Sequence, residues 1–581
     1  MRIIPMKNFI FCLILFSFGY GQSIRNPKIK RQLPSDKNAE FFCMGCINMV
    51  GQFLLAVNRS ENANNRVNLV QLNKAKMDFI QICKSFDFVP DIVCDKLVGQ
   101  YQEPIIYLME RIQASPDEIC GAIIDKCGDP RFLFEYQPLD LPEMPKNRSI
   151  AELRHAEGTV KPMRILQLSD IHVDFEYSIG SEAHCFEKSP QKFCCRHFQE
   201  QNSTIIQPAG FWGTLAFCDI PYRTLISALN HIRDNEANID LVLVSGDFIS
   251  HDIWEYSVDR TIDEIKNISD TIREILQVPV YLVVGNHEGN PMDSFMTRDM
   301  ENFDKFGPFW SYKAFADSML KELGAVGPIR QEMIYRGSYA ARIRPGLKLI
   351  SLNNNYCSKL NTFGYLNRND PDQTLSWLIQ ELSQSELANE RVWIASHIPP
   401  NDDYCVKSWT WNYYNIVKRF QNTIAQQFFG HTHYDEFFVF LSEENGSPEP
   451  FSYGWIGPSL TTYEQVGPAY KVYEIDGDLN SDTRFTAIDA YTVSADLSNP
   501  NSEPAWKVEY DFKQAYNMKD LSPESLFELA LRFEKDDQLF NDYLVRYFRN
   551  PNHSDISNDR KRAKIMCDMK KSKSYDGSIC V

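Results

Sequence analysis

The apolar positions between Met163 and Phe429 fall into short, almost uninterrupted runs that alternate with stretches of helical periodicity. Such runs are typical of strands buried on both faces, and helices between them indicate a layered α/β architecture. We therefore predict an α/β domain over residues 161–489, a sandwich of sheets flanked by helices. Six runs predict its strands: RILQLSD, IDLVLVSGD, PVYLVVGNH, LKLISLNNN, RVWIASH and QQFFGH.

Two regions outside this domain have helical periodicity. Residues 39–134 combine helix-spaced apolar positions with six cysteines and show almost no strand pattern. Residues 490–581 predict a carboxy-terminal helical subdomain, in which Ser522 is a helix N-cap and Pro523 the first helical residue. The stretch 135–160 contains PLDLPEMP, whose prolines stiffen a chain and block helices, so we predict a linker there.

The first residues predict export from the cell. Arg2 and Lys7 precede the apolar run from Phe9 to Phe18, which has the pattern of a signal peptide over residues 1–21. About ten apolar residues are too few to anchor the chain, since a spanning helix needs roughly 20. We expect a secreted protein, and lysosomal residence stays open. Six glycosylation sequons agree with export: Asn58, Asn147, Asn202, Asn267, Asn445 and Asn552.

Cysteine content and charge narrow the function further. Without Cys12 of the signal peptide, fourteen of the 15 cysteines remain, an even number that suits disulfides in an oxidising compartment. The net charge of −17 argues against nucleic acid as a partner, because a polyanion would be repelled. No feature predicts an obligate protein partner, and we expect a monomer.

Metal-binding side chains follow five of the predicted strands. Each motif alone is weak, because Asp-x-His or His-x-His occurs by chance and a lone histidine is more often a core or surface residue. Strand carboxyl ends converge on ligands in open α/β sheets, so the ordered set predicts one metal site. Its candidate ligands are Asp170, His172, Asp247, Asn286, His397, His431 and His433.

The order D-x-H, G-D, G-N-H, lone His and G-H-x-H resembles the calcineurin-like metallophosphoesterase family over roughly residues 164–435. The resemblance implies two metal ions bridged by Asp247 and a metal-bridging hydroxide that attacks phosphorus. One ion would take Asp170, His172, Asp247 and His433. The other would take Asp247, Asn286, His397 and His431. Imidazole and hard oxygen ligands fit zinc, and also manganese or iron.

The identity of the metal is narrowed by a departure from one branch of that family. Purple acid phosphatases bind ferric iron through a tyrosine three residues after the bridging aspartate, and this chain has Ser250 there. We therefore expect two Zn²⁺ ions per chain.

Several features outside the ligand motifs are similar to acid sphingomyelinases. These are the runs SLTTYEQVGPAYKVYEIDG and SLNNNYC and cysteines placed around the site: Cys185, Cys194, Cys195, Cys218, Cys357 and Cys405. The resemblance implies that His287 and His251 face the substrate, stabilise charge and protonate the leaving alkoxide. His251 as a structural surface residue remains an alternative. Tyr463 is a candidate contact for a choline group, and a core-packed tyrosine is equally consistent with its position.

The cysteine spacing of residues 39–134 is similar to the saposin family, a small helical bundle with three nested disulfides. The resemblance implies the pairs Cys43–Cys127, Cys46–Cys120 and Cys83–Cys94. Cys567 and Cys580 close the carboxy-terminal tail. A zinc ribbon is the alternative reading, but only one CxxC is present in this segment and export favours oxidation.

Taken together, the resemblance to acid sphingomyelinases extends over nearly all of the mature chain. It implies hydrolysis of sphingomyelin to ceramide and phosphocholine, with sphingomyelin and a membrane surface as partners. Two alternatives remain: a nucleotide or phosphodiester hydrolase with the same metal site, and a lipid-transfer protein whose catalytic core is inactive. The cysteine-rich amino-terminal segment argues against the first, and the intact set of candidate ligands argues against the second.

Overall fold

The computed structural model describes residues 91–123, 127–128, 135–143, 162–185, 193–197, 205–319, 327–367, 369–442, 447–499, 501–576 and 578, with scattered residues between 43 and 84. The predicted signal peptide, Cys83, Cys580 and the sequons at Asn58, Asn147, Asn202 and Asn445 lie outside these residues. The other two sequon asparagines, Asn267 and Asn552, are exposed. In the described part of the chain no helix is long and apolar enough to cross a membrane.

Two six-stranded sheets form the centre of the molecule. The first has the order β12-β11-β10-β1-β2-β3, in which β1, β2 and β3 are parallel. Its strands are β1 Met163–Leu168, β2 Leu241–Val244, β3 Val280–Leu282, β10 Ala469–Ile475, β11 Ala487–Asp496 and β12 Ala505–Asp511. The second has the order β4-β5-β6-β7-β9-β8, in which β5, β6, β7 and β9 are parallel. Its strands are β4 Tyr339–Arg344, β5 Leu347–Ser351, β6 Arg391–Ala395, β7 Ile424–Phe429, β8 Glu436–Ser442 and β9 Glu449–Ile456.

The two sheets pack face to face over an aromatic core. The rings of Phe428 on β7 and Tyr473 on β10 lie 5.2 Å apart, and Trp455 on β9 lies 5.7 Å from Tyr473. Gln167 on β1 crosses between the sheets and donates a hydrogen bond to the Phe429 carbonyl at 2.8 Å. Because large aromatic side chains fill the interface, the sheets hold a fixed separation on which the strand-end loops depend.

Helices cover the outer faces of both sheets. The described α-helices are α1 Asp91–Arg111, α2 Pro116–Ile123, α3 Tyr222–Asn235, α4 Val258–Leu276, α5 Phe303–Phe306, α6 Phe309–Met319, α7 Pro328–Arg336, α8 Thr374–Leu387, α9 Lys407–Arg419, α10 Phe512–Tyr516, α11 Pro523–Phe533, α12 Asp537–Phe548 and α13 Asp559–Asp568. Helices α3 and α4 share an apolar cluster with β1–β3, and α8 and α9 share another with β5–β7. The predicted α/β sandwich and its six predicted strands are confirmed.

The carboxy-terminal boundary requires a correction. Residue 490, where the sequence predicts the helical subdomain to begin, lies inside β11, and β12 follows it in the first sheet. Helices begin only at Phe512, and Ser522 caps α11 by accepting a hydrogen bond from the Ser525 amide, with Pro523 in the first turn. Strand β12 has a single buried residue and carries the mixed sequence AWKVEYD, so its apolar pattern is too weak to predict a strand.

The described amino-terminal residues are helical and joined by disulfides. Cys43 pairs with Cys127 and Cys46 with Cys120, the two outer pairs implied by the saposin resemblance, and Cys94 is also disulfide-bonded. Helix α1 packs against the loop that follows β2, where Gln100 donates a hydrogen bond to the Tyr256 carbonyl at 3.3 Å. The amino-terminal helices therefore contact the α/β core directly.

Residues 135–143 of the predicted linker lie along α9. The Leu139 amide donates a hydrogen bond to Asn412 at 2.9 Å, and Arg419 donates one to the Pro142 carbonyl at 2.6 Å. This half of the proline-rich stretch adheres to the core, while residues 144–160 lie outside the described part.

Candidate active site

The carboxyl ends of five parallel strands meet at one edge of the sandwich. Asp170 follows β1, Asp247 follows β2, and Asn286 begins the turn after β3. From the second sheet, His397 follows β6, and His431 and His433 follow β7. Since the sheets face each other, their strand ends deliver side chains from both sides into one buried space.

The predicted ligands form two neighbouring groups. The structure brings together Asp170, His172 and His433 in one group and Asp247, His397 and His431 in the other, with the ligand atoms of each group within 4.8 Å of one another. The Asp247 carboxylate joins them, since its Oδ2 lies 3.1 Å from His397 Nε2 and 3.5 Å from His172 Nε2. One aspartate therefore faces both groups, as a bridging ligand must.

The Asn286 amide oxygen also points into the second group. Its Oδ1 lies 2.9 Å from His397 Nε2 and 3.0 Å from His431 Nδ1. All seven candidate ligands predicted from the sequence thus converge within this region, and a third group, formed by His172, His251 and His287, lies beside it.

The backbone at the ligands is strained. Asp170, His172, Asp247, His431 and His433 have positive φ angles of 47°, 40°, 58°, 73° and 68°. Non-glycine residues rarely adopt this left-handed region, and such strain clusters at functional sites because the surrounding fold must impose it. Five of the seven candidate ligands are therefore held in place at a cost in backbone energy.

Glycine precedes three of the ligands because the loops approach one another closely. A Cβ atom on Gly246, which has a φ of 97°, would lie 2.7 Å from His397 Nδ1. A Cβ atom on Gly430 would lie 2.2 Å from Ser169 Oγ. The glycines of the G-D and G-H-x-H motifs therefore permit the loops from the two sheets to meet.

Backbone carbonyls orient two of the ligand rings. His172 Nδ1 lies 2.5 Å from the Ile249 carbonyl, and His397 Nδ1 lies 2.7 Å from the Ser245 carbonyl. A ring that donates from Nδ1 leaves the Nε2 lone pair free for a cation. His172 Nε2 and His433 Nδ1 are buried without a hydrogen-bond partner in the described structure. Such orphaned acceptors fit a site built for metal ions.

The electrostatics of the site also favour bound cations. Burial alone would raise the pKa of Asp247, but the neighbouring His397 and His287 outweigh burial and hold it well below its usual range. Burial would lower the pKa of His397, whereas Asp247 and Asp170 raise it to about 9. Buried carboxylates that draw a proton onto a neighbouring imidazole attract positive charge, which a metal ion supplies.

His251 and His287 are held by side chains from other loops. His251 Nδ1 lies 2.9 Å from the Asp219 carboxylate, and His287 Nδ1 lies 2.6 Å from the hydroxyl of Tyr256. The Tyr256 hydroxyl donates to the Ser250 carbonyl at 2.7 Å, so it accepts the proton of His287 Nδ1. Burial lowers the pKa of His251, but Asp219 outweighs it and raises that pKa, while burial lowers the pKa of His287.

Tyr463 lies against this second pair of histidines. Its ring stacks on His251 with centroids 3.9 Å apart and an interplanar angle of 9°. Phe217 packs edge-on against the tyrosine ring at 5.4 Å. Tyr463 is therefore part of the wall of the candidate site.

The sequence motifs did not identify the residues that support the site. Asp219 and Tyr256 lie outside every ligand motif, although Tyr256 follows His251 by five positions. Glu288, directly after His287, accepts hydrogen bonds from the amides of Asp247 and Phe248 at 3.1 and 2.7 Å and so shapes the loop after β2. Their roles depend on contacts between distant loops, which spacing along a chain does not reveal.

Two family models match the chain. A model described as calcineurin-like phosphoesterase matches residues 163–435, the range that contains all seven candidate ligands. A model described as acid sphingomyelin phosphodiesterase C-terminal region matches residues 463–581. The first therefore covers the strand-end site, and the second covers Tyr463, the last strands of the first sheet and the carboxy-terminal helices.

Similarity to known proteins extends beyond these two regions. Sphingomyelin phosphodiesterase 2 of Caenorhabditis elegans is 38% identical over 576 residues, which is 95% of this chain and 90% of the relative. Human sphingomyelin phosphodiesterase is 32% identical, and the match covers 86% of this chain and 78% of the relative. A human cyclic GMP-AMP phosphodiesterase is 28% identical, and the match covers 66% of this chain and 82% of the relative.

Proposed function

The chain belongs to the sphingomyelin phosphodiesterase family, and from that premise we propose that it hydrolyses sphingomyelin to ceramide and phosphocholine with two zinc ions per chain. The observation that carries the proposal is the buried Asp247 carboxylate, which faces both groups of candidate ligands.

The residues at the strand ends suit a pair of zinc ions. Asp170, His172 and His433 would hold one ion and Asn286, His397 and His431 the other, with Asp247 shared between them. Imidazoles and carboxylates without a thiolate are a normal donor set for catalytic zinc. When bound, the ions would supply a readily deprotonated water and polarise the phosphoryl oxygens. The chain's own residues orient the ligands and handle the leaving group.

His251 is our candidate for the residue that protonates the leaving ceramide oxygen. Its Nδ1 faces the Asp219 carboxylate at 2.9 Å, so Nε2 is the atom left to face substrate. A carboxylate partner stabilises the imidazolium, which is the form that can donate a proton. His287 instead contacts a neutral phenol, Tyr256, at 2.6 Å, and we assign it a charge-stabilising contact with the phosphoryl group.

Tyr463 is our candidate for the residue that contacts the choline group. Its ring stacks on His251 through one face and Phe217 contacts it edge-on, and these contacts fix the ring in the wall of the site. An aromatic face attracts a quaternary ammonium group, and a fixed ring loses little entropy on binding.

The helical amino-terminal segment supports a lipid rather than a nucleotide substrate. We assign residues 39–134 as a saposin-like domain that gives the enzyme access to membrane lipid, and residues 161–511 as the catalytic domain. The contact between α1 and the Tyr256 loop brings this segment close to the candidate active site. The match to the cyclic GMP-AMP phosphodiesterase covers 66% of this chain, less than the 86% covered by the match to human sphingomyelin phosphodiesterase. Export to the extracellular space or lysosome accords with the disulfides.

A substrate panel tests the proposal. Purified full-length protein would be assayed on sphingomyelin vesicles, on cyclic dinucleotides and on nucleotide phosphodiesters, at about pH 5 and about pH 7, before and after chelation and with zinc restored. We expect sphingomyelin to be the preferred substrate and zinc to restore the activity. Preference for the nucleotides would contradict the substrate, and restoration by manganese or iron but not zinc would contradict the metal.

A further inference from the structure

Exposed apolar side chains are concentrated in one segment beside the candidate active site. Of the thirteen large apolar side chains that are exposed in the described parts of the chain, five lie between residues 175 and 211. We call these five residues the apolar shelf: Phe175, Ile179, Ile205, Ile206 and Phe211. Ile206 is 70% exposed and Ile179 is 47% exposed, so the shelf faces solvent rather than the core. Isolated exposed apolar residues are ordinary, whereas a cluster marks an interaction surface.

Disulfides and backbone hydrogen bonds link the described parts of the chain that carry the shelf. Disulfide Cys185–Cys194 lies within the segment, and Cys195–Cys218 joins the segment to the chain just beyond it. Within it, residues 180–183 pair with residues 207–209, with the Gly180 amide 2.7 Å from the Ala209 carbonyl. This pairing brings the chain at Ile179 alongside the chain at Phe211. The apolar side chains are therefore presented by a stapled scaffold.

The shelf is physically continuous with the wall of the site. Its small core contains Cys194, Cys195 and Phe217, and Tyr463 packs against that core. Phe217 lies 5.4 Å from Tyr463, which stacks on His251 at 3.9 Å. A surface that contacts the shelf therefore lies next to the proposed leaving-group and headgroup residues.

Charged groups tie the same segment to the catalytic loops. Arg196 donates hydrogen bonds to Asp174 at 2.9 Å and to Asp252 at 2.8 Å, and Asp252 directly follows His251. At the outer end, the Arg223 guanidinium lies over the Phe211 ring at 4.4 Å. An aromatic ring beside an arginine suits the headgroup region of a bilayer, where apolar and charged surfaces meet.

We propose that the apolar shelf rests on the surface of a phospholipid bilayer and so positions the active site over lipid. This proposal rests on the function proposed above, because a site that cleaves a bilayer lipid must approach the headgroup layer. The shelf adds a docking surface on the catalytic domain, separate from the amino-terminal helices. Apolar side chains at the interface bind lipid in proportion to the area that they bury.

The test uses the full-length protein and two variants. The shelf variant combines Ile179→Ser with Ile206→Ser, both at exposed positions where no core contact is lost. The control is Leu387→Ser, since Leu387 is 81% exposed at the end of α8 and lies outside the apolar shelf. Each protein is sedimented with vesicles of phosphatidylcholine without sphingomyelin, and turnover of bis(4-nitrophenyl) phosphate in solution is measured in parallel.

We expect the shelf variant to bind the vesicles at least about tenfold more weakly than the wild type, a loss of ~1.4 kcal/mol. The control should bind them normally, and both variants should hydrolyse the soluble diester at the wild-type rate. Unchanged vesicle binding by the shelf variant overturns the proposal. If the variant binds vesicles normally but differs from the wild type in oligomeric state, the shelf contacts a second copy of the chain instead of a bilayer. Because the vesicles contain no sphingomyelin, the binding result does not depend on whether sphingomyelin is the substrate.

Discussion

The metal-ligand groups and the pair formed by His251 and His287 lie side by side but are held in place differently. The main chain orients two of the four candidate ligand rings, since carbonyls of Ser245 and Ile249 contact His397 and His172. Side chains from distant loops position the other pair, as Asp219 contacts His251 and Tyr256 contacts His287. A contact from a main-chain carbonyl survives substitution of the side chain on that residue, whereas a contact from a side chain is lost when that side chain is replaced. The two halves of the site should therefore respond differently to mutation.

The largest effect is expected for Asp247→Asn, which removes the charge shared by both ligand groups. Turnover should fall by at least about a thousandfold, because the metal contribution is several kcal/mol. Metal content, measured by mass spectrometry of the dialysed protein, should fall with it. Asp263→Asn, at an exposed position of α4, is the matched control and should keep both. Full metal occupancy with normal turnover in Asp247→Asn would show that this carboxylate does not bridge.

A smaller and more selective loss is expected when His251 is replaced by alanine. Turnover of sphingomyelin should fall by about 10²–10⁴-fold, the usual contribution of a general acid. A nitrophenyl diester has a leaving group that needs no proton, so its hydrolysis should suffer much less. The metals should remain bound. The exposed His197 provides the control variant His197→Ala.

His287→Ala sharpens the division of roles between the two histidines. If His287 stabilises phosphoryl charge, both substrates should slow by similar factors with unchanged metal content. Equal losses on both substrates in His251→Ala as well would exclude His251 as the proton donor. A selective loss confined to His287→Ala would assign that role to His287 instead.

The partner of His251 should control its pH dependence. Asp219 raises the pKa of His251 against the opposing effect of burial, so Asp219→Asn should lower it. The protonated form would then be lost at lower pH, and the alkaline limb of the pH–rate profile for sphingomyelin should move to lower pH. Turnover should fall by about ten- to a hundredfold, part of the general-acid contribution. An unshifted profile would show that His251 protonation does not limit the rate.

The smallest effect concerns the pH dependence of the free energy of unfolding. On α4, Arg260 Nε lies 2.7 Å from Glu264 Oε1. Burial raises the pKa of Glu264 to about 7, against the opposing charge of Arg260. A raised folded-state pKa means that the native state holds the extra proton, so this stability is fully present below the unfolded pKa and is lost as pH rises through about 7.

Glu264→Gln should therefore reduce the loss of unfolding free energy between about pH 5 and about pH 8, by no more than ~3 kcal/mol. The melting temperatures of the two proteins across this pH range measure the difference. The Arg260 contact can be kept by the amide, which makes the glutamine a close replacement. A pH dependence identical to that of the wild type would exclude Glu264 as the titrating group.

The sequence by itself determined the α/β sandwich, six strands and the set of seven candidate ligands. Those features are local: buried strands read as apolar runs, and each ligand follows a strand within a few residues, next to glycines that the close approach of loops requires. The carboxy-terminal boundary was misplaced, because the exposed β12 belongs to the sheet only through its pairing with β11.

Only the tertiary structure decided which residues support the site. Asp219 reaches His251 across 32 positions, and Tyr463 reaches it across more than 200, so neither contact leaves a pattern in the local sequence. The apolar shelf is likewise a product of pairing between segments more than 20 residues apart. The candidate ligands at the strand ends can be predicted from the sequence because each follows its strand within a few residues, whereas their supporting partners and the shelf arise where separate loops meet.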